Sequence, residues 1–126
     1  MINNFTLKEL GAERGDQFHP GFLQALDELR HQAGLPFIIT SGARTRKHNA
    51  EVGGKPNSYH IWDDPQNAGQ HGCMAVDVEV PHPSFKPYVV RLALILGWSA
   101  GINDRLGFIH IDRRVDIGKP QALFSY

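Results

Sequence analysis

Seven histidines are spread along the 126-residue chain, and three of them have neighbours suited to metal chemistry. His110 lies in Gly107-Phe-Ile-His-Ile-Asp-Arg-Arg114. In a strand, the period-two alternation puts Phe108, His110 and Asp112 on one face and turns Ile109 and Ile111 into a core. Asp77 has the same setting in Ala75-Val-Asp-Val-Glu79, where Asp77 and Glu79 share a face. His60 follows the turn-rich run Gly53-Gly-Lys-Pro-Asn-Ser-Tyr59 and could reach the same point from a loop, and His71 is a rival from the end of that loop. His19, His31, His48 and His82 stand in polar, turn or helix-surface contexts and read as surface residues.

Two imidazoles and one carboxylate are a normal catalytic zinc set, because three protein ligands leave a fourth position open. Zinc held this way lowers the pKa of water to about 7 and polarises a carbonyl. A His-x-Asp on a strand is also a common structural feature, so the residues alone leave metal binding and ordinary packing both open.

These side chains need elements to hold them. The segment from Pro20 to Gly34 reads as an amphipathic helix, with Phe22, Leu23, Ala25, Leu26 and Leu29 as its apolar stripe and Gly34 as its stop. Pro36 to Thr40 reads as a short buried strand that ends at Ser41-Gly42, and Arg44 to Val52 as a short helix closed by Gly53-Gly54. Lys55 to Gly72 is rich in Pro, Asn, Gly and Asp and reads as a long loop, a length often tied to function. Met74 to Val80 is a strand, Ser84 to Gly97 a helix with Ser84 as N-cap and Pro87 in its first turn, and Phe108 to Asp112 the last strand. The order α-β-α-loop-β-α-β fits an α+β domain, with helices packed on a small antiparallel sheet.

The whole chain reads as one domain, residues 1–126, large enough to bury about two-thirds of its unfolded surface. Thirteen basic residues balance thirteen acidic ones, so no bulk field steers it toward nucleic acid or anionic lipid. Local basic clusters occur at Arg44, Arg46, Lys47 and His48 and at Arg113-Arg114, and their ordinary reading is solvated surface. Cys73 is the only cysteine, which excludes an internal disulfide and a four-thiolate zinc site. No signal-peptide pattern opens the sequence, and the most apolar stretch, Val89 to Leu96, is too short to span a bilayer. The expectation is a monomer made in the cytoplasm that acts on neither membrane nor nucleic acid.

The run Ser41-Gly-Ala-Arg44, then His48-Asn49, Val52-Gly-Gly54 and Asn57-Ser-Tyr-His60, resembles the zinc D-Ala-D-Ala carboxypeptidase family, within the Hedgehog/D,D-peptidase fold. Ala75-Val-Asp77 resembles the second half of that family's Ser-x-His-x-x-Gly-x-Ala-x-Asp motif, and Gly107 to Asp112 its closing strand. The resemblance runs from about Leu26 to Arg114. It implies a Zn2+ site of His60, Asp77 and His110, with Arg44 nearby to bind a substrate carboxylate or stabilise an oxyanion. Under the same resemblance Ser58 is either a residue that hydrogen-bonds substrate backbone or a turn residue. The implied substrate is the peptide stem of peptidoglycan, cut by a D,D-carboxypeptidase or endopeptidase. Such a protein, made in the cytoplasm, implies a phage or prophage lysin that a holin releases or the virion carries.

Two departures stand out. The motif sets its His and Asp seven residues apart, whereas His60 and Asp77 are seventeen apart, which implies a ten-residue insertion, roughly Trp62 to His71. Its Trp62, Asp63 and Asp64 form either a cleft wall or surface elaboration, and Cys73 takes the motif's Gly position. Relatives also carry a proton-accepting residue where this chain has Gly107 and Phe108. Asp112 is the nearest replacement as general base, with a role in orienting His110 as its alternative, and Asp104 and His71 are further options. The missing base keeps a second reading open: a non-catalytic, zinc-containing wall-peptide binding module of the same fold. A metal-free globular domain is the third reading.

Overall fold

The computed structural model describes residues 4–63 and 71–126. The first helix, α1 (Phe22–Ala33), buries Phe22, Leu26, Leu29 and Ala33, the i, i+4, i+7, i+11 stripe of one face. Gly34 ends it in the left-handed conformation and returns its N–H to the Arg30 carbonyl, as expected. Strand β1 (Ile38–Ser41) follows, then α2 (Arg46–Glu51), capped by Thr45, whose hydroxyl accepts from the His48 N–H at 3.0 Å. Helix α2 therefore starts after Arg44, which stays in extended chain.

Strand β2 (Ala75–Glu79) leads to α3 (Lys86–Ile95), β3 (Ser99–Asn103), β4 (Phe108–Asp112) and β5 (Leu123–Ser125). A 3-10 turn at Pro83–Phe85 precedes α3, and the His82 side chain caps that turn by accepting from the Ser84 N–H. Ser84 is thus inside the turn and is not the helix N-cap. The five strands run in the order β1-β2-β4-β3-β5. All neighbours are antiparallel except β3 and β5, so the expected antiparallel sheet gains one parallel edge strand. Strand β1 is the other edge, with Ile38 59% exposed, so it is not the buried strand its apolar run suggested.

Central strands β2 and β4 divide the sheet by side-chain alternation. Val76 lies across from Ile111 and Val78 from Ile109, and all four are fully buried in one core with Phe22, Leu26 and Leu29 of α1 and Val89 and Ala93 of α3. Burying each such side chain is worth about 1.5–3 kcal/mol, which fixes which face of each strand turns to the helices. The other face is then fixed too: Asp77 lies across from His110, and Ala75 from Asp112. That second face holds the polar groups. Among the described residues, no helix is long and apolar enough to cross a membrane.

Candidate metal centre

Backbone bonds bring the His60 loop to this polar face. The Arg44 N–H donates to the His60 carbonyl at 2.8 Å, and the Trp62 N–H to the Arg44 carbonyl at 3.0 Å. The Ser58 hydroxyl oxygen accepts from the His60 N–H at 3.2 Å and shapes the turn ahead of it. His60 then hangs over Gly42, whose carbonyl oxygen takes the Nδ1 hydrogen at 2.8 Å. Only glycine fits at position 42, because a Cβ there would stand 2.2 Å from the Leu10 carbonyl oxygen.

Three ligand atoms converge. Asp77 Oδ1 lies 3.3 Å from His60 Nε2 and 3.0 Å from His110 Nδ1, and the three residues offer ligand atoms all within 4.8 Å of one another. All three are buried, with 3–7% of their surface exposed. Ligands placed tetrahedrally at about 2.0–2.2 Å from zinc stand roughly 3.4 Å apart, so the spacing and the donor types fit that ion. The remaining ring nitrogens are engaged as metal-binding histidines require: His60 Nδ1 by the Gly42 carbonyl and His110 Nε2 by Asp112 Oδ2 at 2.8 Å.

In the metal-free chain the electrostatics treat the two histidines differently. Burial opposes charge on Asp77, but hydrogen bonds from His110 and His60 outweigh it and hold the carboxyl well below the usual carboxylate range. Burial lowers the pKa of His60 and keeps it a neutral, lone-pair-bearing ring. Burial also works against charge on His110, yet the flanking carboxylates of Asp112 and Asp77 raise its pKa overall.

The family model for peptidase M15 matches residues 2–112. The chain belongs to the peptidase M15 family. Among curated proteins and among solved structures, nothing matches the chain. Membership in M15 supports a metallopeptidase, and His60, Asp77 and His110 sit close enough to bind a metal.

Around this M15 centre the other sequence candidates fall differently. Arg44 is 3.7 Å from Asp77 Oδ2 through Nη2, and it hydrogen-bonds Ser41 Oγ twice and Asn49 Oδ1 once. It also lines a cleft of about 330 Å³ whose walls include Glu13, Arg14, His48 and Trp62. Asp112 is fully buried beneath His110. Asp104 stands on the β3–β4 turn, 87% exposed and 3.6 Å from Lys86 Nζ. His71 is exposed, its backbone N–H directed at His19 Nδ1, and it is not among the converging ligands. Most of the inserted loop, including Asp64, lies outside the described residues. Cys73 is buried with its thiol pushed up to about 12 by desolvation, and it donates to the Ala75 carbonyl.

Sequence reasoning missed three contributors. Arg114 forks onto Asp112, which corrects the reading of Arg113-Arg114 as solvated surface; Arg113 likewise pairs with Asp116 and donates to the Leu96 carbonyl. Phe124 of β5 packs its ring 5.9 Å from that of His110. Tyr126 sits 5.3 Å from Phe108 and 5.8 Å from Phe124, and burial first, then the Asp77 charge, push its hydroxyl up to about 12. The spacing Asp112-x-Arg114 just past the end of β4 was the available signal for the first. Nothing local marks the aromatic pair.

Proposed function

We propose that this chain is a zinc-dependent peptidase that hydrolyses an amide bond in the peptide stems of peptidoglycan, as a D,D-carboxypeptidase or an endopeptidase. The observation that carries it is the convergence of His60 Nε2, Asp77 Oδ1 and His110 Nδ1 beside the half-buried Arg44, in an M15 chain. Zinc in such a site supplies Lewis-acid activation of water and of the scissile carbonyl. The protein does the rest. Gly42 and Asp112 take the other ring hydrogens of His60 and His110, so Nε2 of the one and Nδ1 of the other, which face Asp77, are the atoms that would bind a metal. Arg44 keeps two of its five N–H donors after its bonds to Ser41 and Asn49. Those two are suited to a substrate carboxylate or to the oxyanion that forms as the carbonyl is attacked. Ser58 accepts from His60 and retains its hydroxyl hydrogen, the group we assign to substrate backbone.

Asp112 is read here as the residue that orients His110, not as the base. Its Oδ1 takes the Arg114 N–H and Nε–H, and its Oδ2 takes His110 Nε2 and Arg114 Nη2, so both oxygens are filled. Burial opposes its charge, but these bonds lower its pKa to about 2, leaving no affinity for a proton near neutral pH.

Gly107 and Phe108, which cannot take a proton where relatives carry the base, favour the second reading, a zinc-containing module that binds wall peptides without cutting them. Purified peptidoglycan incubated with the protein, with and without chelator, and analysed by mass spectrometry separates the two. Release of terminal alanine or a cut within the stem, abolished by chelator and by His110→Ala, establishes the peptidase. Bound zinc with retained wall peptide and no product establishes the module.

A further inference from the structure

Arg114 is joined to the metal centre by an unbroken chain of contacts. Its Nε and Nη2 donate to Asp112 Oδ1 and Oδ2 at 2.9 and 2.8 Å, and its backbone N–H adds a third bond to Oδ1 at 3.0 Å. Asp112 is fully buried, and its remaining acceptor position faces His110 Nε2 at 2.8 Å. The far end of that ring, Nδ1, faces Asp77. The guanidinium itself lies 4.9 Å from the Tyr59 ring and 5.6 Å from the Phe124 ring. Tyr59 precedes the ligand His60, and Phe124 sits on β5 against His110. One cation therefore touches the loop of the first ligand, the carboxylate behind the third, and the edge strand.

We propose that Arg114 is a positioning residue of the metal centre, locking Asp112 in the one orientation that aims His110 Nδ1 at the metal. The inference rests on the metal site proposed above. A buried carboxylate with a single partner can swing and take its imidazole with it. A bidentate fork plus a backbone bond leaves Asp112 one free direction, toward His110. Lysine cannot reproduce this, since it offers a point charge without the planar fork or the ring contacts.

Zinc affinity of the full chain, read by competition with a chromophoric chelator, tests this without any substrate. Loss of such an outer partner costs about 10- to 100-fold in metal affinity, and that loss is expected for Arg114→Gln and for Asp112→Asn. Because the two act along one path, the double variant is expected to bind no more weakly than the worse single one. Arg114→Lys is expected to fall with Gln and not with wild type, and cobalt-loaded Arg114→Lys to show a shifted visible spectrum. Thermal melting of the metal-free variants checks folding, and if Gln melts early the Lys variant decides the question. Wild-type zinc affinity in both Arg114→Gln and Arg114→Lys, with Asp112→Asn weakened, overturns the role of Arg114 and leaves the peptidase reading intact. Multiplying losses in the double variant overturn it as well. A wild-type protein that takes up no zinc overturns both.

Discussion

Arg44 Nη2 stands 3.7 Å from Asp77 Oδ2, close enough for charge attraction but outside hydrogen-bond reach, while Ser41 and Asn49 hold the guanidinium in place. The side chain is 16% exposed and that of Asp77 8%, so the attraction acts in a poorly screened setting. Arg44 is thus fixed beside the proposed metal ligands by bonds to Ser41 and Asn49 that a metal would not displace.

Replacing Arg44 by lysine keeps a charge and removes the fork. We expect turnover of a stem-peptide substrate to fall by about 10²- to 10³-fold, the usual cost of one preorganised donor at a developing oxyanion. Zinc content is expected to remain at the wild-type level, because Arg44 supplies no ligand atom. Steady-state kinetics paired with metal analysis checks this. Wild-type turnover in Arg44→Lys would remove Arg44 from the chemistry.

Zinc that binds only the folded chain must stabilise it. At free zinc 100-fold above the dissociation constant, the gain is about 2.7 kcal/mol. For a chain of 126 residues this corresponds to a melting temperature roughly 10 °C higher. Calorimetry with zinc and with chelator should show that difference in wild type and none in His60→Ala or His110→Ala. An equal melting temperature in wild type with and without zinc would support the metal-free reading instead.

The Asp112 carboxyl falls from 3.8 to about 2 on folding; burial resists the change, and hydrogen bonds from His110 and Arg114 drive it. A depressed folded pKa stabilises the native state above the unfolded value, and that stabilisation disappears as pH falls through the folded value. His110 has the opposite sign: its raised pKa stabilises the metal-free chain below 6.5 and is lost as pH rises through the folded value. In metal-free protein, the stability gap between wild type and Asp112→Asn should therefore narrow as pH drops from about 4 toward 2. Urea unfolding across that range measures it, and a constant gap would show that Asp112 is not ionised in the fold.

Much of the site was legible because alternation along a strand is a hard constraint. Ile109 and Ile111 are driven into the core, and this alone turns Phe108, His110 and Asp112 the other way. Helix α1 and its Gly34 stop were equally plain. Strand β3 was not: Ser99-Ala-Gly-Ile-Asn103 carries weak strand formers, and its pairing with β4 and β5 fixes it from outside. Strand β5, three residues in parallel pairing, has no local signature at all. Arg114 looked like solvated charge because its partner lies two residues back on a buried face, a relation visible only once that face is known.

Gly101 shows how that distant pairing reaches the metal centre. It lies across the β3–β4 ladder from His110 and across the β3–β5 ladder from Phe124. A Cβ at position 101 would stand 2.3 Å from Cε2 of the Phe124 ring, so glycine makes room for the ring that rests against His110 and Arg114. Gly101→Ala must push the ring aside, at a cost of about 1–3 kcal/mol for overpacking. Phe124→Ala removes the obstacle, so alanine at 101 should cost much less in that background. Urea unfolding of the four proteins gives the coupling. Zinc affinity should follow it, falling in Gly101→Ala because Arg114 loses a neighbour. Strictly additive stabilities with unchanged zinc affinity would mean that β5 gives the centre no support.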